Sequence, residues 1–163
     1  MYQPELWHEA FVVLGTSSAA IAGLIIVAAS VRADQMMTSR QWRLRARNST
    51  LGMITIMIGS ILVLLPQSST VLGVELIVII LVDACFLLRP VIIHEFRNRT
   101  GSSIRIPLLV ACLYLLAAAG GVSLIVRWGG GLYLTLAAFF GFLLAAIFNA
   151  YELLLPHPKS SKR

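Results

Sequence analysis

The chain has 163 residues, 58% of them hydrophobic and 12% charged, with a formal net charge of +6 and a mean hydropathy of +0.87. Soluble domains carry about 25% charged residues, and a domain of this length has too little interior to hide so much apolar surface. An ordinary soluble enzyme or nucleic-acid-binding domain is thereby excluded, and a single membrane domain over 1–163 is expected.

A hydrocarbon core about 30 Å thick takes roughly 20 helical residues, with every backbone polar group paired inside the segment. The first apolar stretch runs from about Ala10 to Val31 without a charge. Glu5 and Glu9 stand where a secretory signal would be basic, and the run is too long for one, so the segment is expected to remain in the mature protein. The second stretch covers Leu51 to Leu65 and stops at Pro66. A third, Val71 to Leu88, contains Glu75 and Asp83. The fourth covers Ile106 to Val126, and the fifth Leu132 to Leu155, which carries Asn149 and Glu152. The expected fold is an all-α membrane bundle of five transmembrane helices. Cys85 and Cys112 lie inside apolar runs and read as free core thiols.

The connections supply an independent signal. Five arginines lie in 32–50 (Arg32, Arg40, Arg43, Arg45 and Arg47), four in 89–105 (Arg89, Arg97, Arg99 and Arg105), and Lys159, Lys162 and Arg163 close the chain. With five spans, these twelve of the thirteen cations share one face and Arg127 stands alone on the other. Positively charged connections stay in the cytoplasm, which puts the N-terminus outside and the C-terminus inside a bacterial inner membrane. On the opposite face, 66–70 and 127–131 read as tight hairpin turns, the second holding Gly129, Gly130 and Gly131. Arg40, Arg43 and Arg47, with Trp42 nearby, have the spacing of an interfacial helix that touches anionic headgroups. A solvated basic loop that only sets orientation fits the same residues.

Small residues recur in steps of four: Gly15, Ala19 and Gly23 in the first span, and Ala137, Gly141 and Ala145 in the fifth. The second offers Gly52, Thr55 and Gly59. Such strips let helix backbones approach closely in lipid, within one chain or between chains. Bare carboxylates are costly in hydrocarbon, so Glu75 and Asp83 must find shelter. Eight residues apart, they share roughly one side of a helix, about 12 Å apart along its axis. Asn149 and Glu152, on one face of the fifth span, are candidates for the same polar cluster. The alternative for Asp83, with Arg89 under two turns away, is a structural ion pair or a hydrogen bond to Ser, Thr or Asn on a neighbouring helix.

Catalytic and cofactor signatures are missing from the sequence. His8-Glu9 and His94-Glu95 begin like zinc-protease helices, but Val12 and Asn98 occupy the positions of the second histidine. No metal, cofactor or enzyme activity is expected.

Trp7 to Phe11 leading into the Gly15–Gly23 strip, the stretch from Leu51 to Pro66, and Leu72-Gly73-Val74-Glu75-Leu76 together resemble a family of small multi-span bacterial membrane proteins, common in actinobacteria. Some of its members are named as modulators of the FtsH protease. The resemblance covers about the first ninety residues and implies no catalytic positions.

Three functions compete. The leading expectation is a homo-oligomeric ion channel or small-solute pore, lined by Asp83, Glu75, Asn149 and Glu152. The second is an accessory subunit bound to another membrane protein, such as a membrane protease or a respiratory or photosynthetic complex. The third is a lipid- or quinone-associated helper using the arginine-rich segment. The bilayer is the common partner, and nucleic acid is not one.

Overall fold

In the computed structural model, the described backbone covers residues 7–31, 33, 40–97 and 105–154. It is all helical over α1 (His8–Val31), α2 (Arg40–Leu64), α3 (Ser69–Arg97), α4 (Arg105–Ile125) and α5 (Gly131–Leu154). Each of the five contains a stretch long and apolar enough to cross a bilayer. α2 starts well before the expected Leu51, because nothing between Arg40 and Leu51 breaks a helix and the arginines are good helix formers. The basic segment from Arg40 to Arg47 is thus the first part of a spanning helix instead of a separate interfacial one. α3 likewise runs past Leu88, through Pro90, to Arg97. A proline removes one helical hydrogen bond and kinks a long helix more readily than it ends one.

Consecutive helices pack side by side, α5 closes onto α1, and α2 also meets α5 across the ring. The buried apolar residues form two clusters. The larger draws on all five helices, with Phe11, Ile25, Met53, Leu76, Leu124 and Phe139; in the smaller, Ile80, Tyr114, Ala117 and Ala138 join α3, α4 and α5. Outward faces are apolar on every helix, as at Val13, Ile26, Ile61, Leu81, Leu115 and Phe148. A water-soluble chain would leave no such continuous apolar belt uncovered, whereas lipid-facing helices require one. Cys85 and Cys112 are free but exposed on this outer surface, so the expectation of core thiols is corrected: both fall on the lateral side of their helices.

The hairpin end is drawn tight by glycine. A Cβ on Gly73 would lie 2.6 Å from the carbonyl oxygen of Gly121, and one on Gly131 would lie 2.8 Å from that of Gly120. Backbone therefore touches backbone between α3 and α4 and between α4 and α5, the close packing by which helices associate without a hydrophobic driving force.

Candidate functional site

Three places among the described residues hold candidates for function. The first is around Asp83, 8% exposed on α3 and about 21 Å along the helix from Ser69 at 1.5 Å per residue. Its Oδ2 accepts a hydrogen bond of 2.8 Å from the Tyr114 hydroxyl on α4. The Thr55 hydroxyl on α2 reaches the same carboxyl. Edge-on packing of the Tyr114 ring against Phe142 of α5, centroids 4.8 Å apart, fixes the donor. A Tyr ring has an apolar body and one polar atom that must be satisfied when buried, and here four helices bring the two needs together. Asp83 thus points inward and is bonded within its own chain.

Glu75 sits nearer the hairpin end, half-buried. The Gln67 amide donates to Glu75 Oε2 and to the Leu62 carbonyl, both at 2.9 Å. The second bond adds to the one of 3.3 Å that the Leu62 carbonyl accepts from the Leu65 amide, and so ties the side chain to the last turn of α2. Gln67 therefore closes the α2–α3 hairpin and holds the carboxylate in one step. The expected pair of acids is sheltered, but by different groups at different depths.

Asn149 is half-buried on α5, and among the described residues no hydrogen bond joins it to Asp83. The side chains of Glu152, Arg40 and Trp42 lie outside the described residues. Arg43 and Arg47 are exposed on α2. Among the described residues no cluster of three or more His, Cys, Asp or Glu side chains could hold a metal ion.

The second place is the outer face of α1. Of the small residues singled out, Gly15 packs against Ser60, Gly59 against Phe139 and Leu76, and Gly141 against Leu113, all within the chain. Ala145 and Gly52 are half-buried, whereas Ala19, Gly23 and Ala137 are exposed. Steps of four drift by about 40° each at 3.6 residues per turn, so a strip that begins against α2 at Gly15 has turned outward by Gly23. What lies open instead is a seam of alternating threes and fours: Val13, Thr16, Ala20, Gly23, Val27 and Ser30, every one exposed. Nothing lies within 4 Å of a Cβ placed on Gly23. The hydroxyls of Thr16 and Ser30 are bonded back to the carbonyls of Val12 and Ile26, at 2.8 and 2.9 Å, so the seam offers shape without unpaired polar atoms. Spacing of this kind keeps one face of a helix against a partner helix crossing at about +20°.

The third place is a cleft of about 380 Å³ at the hairpin end, lined by Trp7, Ser69, Ser123, Arg127, Trp128, Tyr133 and the glycines of the α4–α5 turn. Tyr114 and the open seam were not singled out from the sequence, and Thr55 and Gln67 stood out only as a small residue of the second span and a turn residue, not as partners of an acid. A tyrosine amid leucines and alanines in a span was a usable signal, since its hydroxyl needs a partner there. Nothing local named Asp83 as that partner.

The chain matches no family model, no curated protein and no solved structure.

Proposed function

We propose that this protein is a non-enzymatic, multi-pass accessory subunit of a bacterial inner membrane, with its N-terminus outside, that docks laterally on another membrane protein. The observation that carries this reading is the open seam on α1. Small residues facing lipid forgo packing that a partner helix would supply, and association in bilayers depends on such packing. The placement of the acids agrees with it: Asp83 and Glu75 are each bonded inside the chain, which leaves little acidic surface for a pore between copies. The orientation rests on the sequence, where five spans put twelve of the thirteen cations in connections of the same side. The resemblance to proteins named as modulators of a membrane protease points the same way.

The test is gentle extraction followed by native mass analysis. A complex of fixed stoichiometry with a different membrane protein is expected. It should come apart in Gly23→Leu and survive in Val78→Leu, a change on the outward face of α3. A chain that is monomeric whenever it is extracted intact would overturn the proposal.

A homo-oligomeric pore is the second reading, because the same seam fits a second copy of α1 and Asp83 is a carboxyl kept at membrane depth. It predicts a complex of identical chains and a cation conductance in liposomes that falls when Asp83→Asn and Glu75→Gln are combined.

A further inference from the structure

We propose that the cleft at the hairpin end binds the phosphate of an anionic lipid headgroup, with Arg127 as the contacting cation. This is independent of the lateral partner argued above. The cleft opens where α4 ends and α5 begins, and its described lining holds one charged side chain, Arg127. Around that cation stand Ser69, Ser123, whose hydroxyl donates to the Trp128 carbonyl at 2.7 Å and so braces the turn, and the aromatic rings of Trp7, Trp128 and Tyr133. Trp7 and Tyr133 pack edge-on with centroids 4.3 Å apart, while Trp128 is 81% exposed. Tryptophan and tyrosine at this level are the usual anchors of a membrane–water interface. A space of about 380 Å³ suits a headgroup, with the acyl chains left to run down the apolar outer faces of the helices.

The backbone at Arg127 sharpens the assignment. α4 ends in a Schellman turn: the Trp128 amide bonds to the Ser123 carbonyl at 3.0 Å and the Arg127 amide to that of Leu124 at 3.3 Å. The pivot of such a turn has a left-handed backbone and is usually glycine. Here it is Arg127, with φ of 57°, although three glycines begin two residues later. An arginine in this slot costs conformational energy that glycine would avoid, so the guanidinium gives something the turn itself does not need. It is also the one cation of thirteen on this side of the five-span arrangement, where orientation disfavours positive charge. A phosphodiester is the matching acceptor, being an anion that takes several N–H donors at once. The described lining contains no carboxylate to pair with an ammonium group.

The full chain carrying Trp42→Phe keeps tryptophan only at Trp7 and Trp128, both in the cleft, so its fluorescence reports this end alone. In vesicles, quenching by dibrominated phosphatidylglycerol is compared with quenching by dibrominated phosphatidylcholine. The expected preference for the anionic lipid is about fivefold, equivalent to the roughly 1 kcal/mol that a basic residue contributes at a membrane surface. It should fall to about one in Arg127→Asn, which tolerates the left-handed turn, and persist in Arg127→Lys. Soluble glycerol phosphate should not compete; competition by it would overturn the lipid source and assign the cleft to a free phosphate ester. Equal quenching by the two lipids, a preference for the choline lipid, or a preference unchanged in Arg127→Asn would overturn the proposal itself. Circular dichroism melts of the variants confirm that a lost preference does not come from a lost fold.

Discussion

Asp83 and Arg127 are opposite answers to one problem, the placing of an ionisable group in or beside hydrocarbon. Asp83 lies deep in α3, 8% exposed, and the chain itself meets its needs through Tyr114 and Thr55. Arg127 stands at the rim of an open cleft, on a turn that would be easier to make with glycine. In a bilayer, a polar group satisfied from within serves to fix how helices pack, because unmaking its bonds costs more than in water-exposed surroundings. A polar group left open at the interface is available to something else. The contrast shifts attention from the carboxyl in the membrane to the arginine at its edge.

The contrast can be pressed by substitution, with thermal unfolding in one detergent as the common measurement. The largest effect should come from neither polar residue but from the frame that positions both. Gly73→Leu puts a side chain where the Gly121 carbonyl already stands; neither backbone can yield, and a loss at or above about 3 kcal/mol is expected. Tyr114→Phe should follow, at about 1 to 2 kcal/mol, because it leaves a buried carboxyl with one donor fewer. Gln67→Ala should cost about 1 kcal/mol or less, since Glu75 lies about 9 Å from the helix start and can turn toward water and headgroups. Arg127→Gly should be smallest in size and opposite in sign, leaving the protein at least as stable as the parent while abolishing its lipid preference. If Arg127→Gly were as damaging as Tyr114→Phe, the distinction between an inward, structural group and an outward, functional one would fail.

The five helices were legible because apolar length and cation placement are local and additive properties, read without knowing which helix meets which. Helix ends were less so. Arg40 to Asn48 is polar, yet nothing in it ends a helix, and polarity alone does not separate a loop from a helix projecting beyond the hydrocarbon. The need to shelter Asp83 was likewise legible from its depth in an apolar run. Its donor was not, because Tyr114 is 31 residues away and pairing them requires the α3–α4 packing that Gly73 and Gly121 permit. The α1 seam was missed for a geometric reason. Counting in fours from Gly15 follows a line that winds around the helix, and only the positions of α2 and α5 reveal which line stays uncovered. Arg127 was visible as the lone cation on its side, but its unusual backbone appears only once the end of α4 is seen.

The central claim is that Asp83 belongs to the packing of its own chain through Tyr114. A double-mutant cycle with Asp83→Ala and Tyr114→Phe, read by reversible unfolding of the full chain, tests it directly. The account predicts a coupling of about 1 kcal/mol, with Tyr114→Phe costing little once the carboxyl is gone. Strict additivity of the two losses would mean that the two side chains do not support each other, and would contradict it.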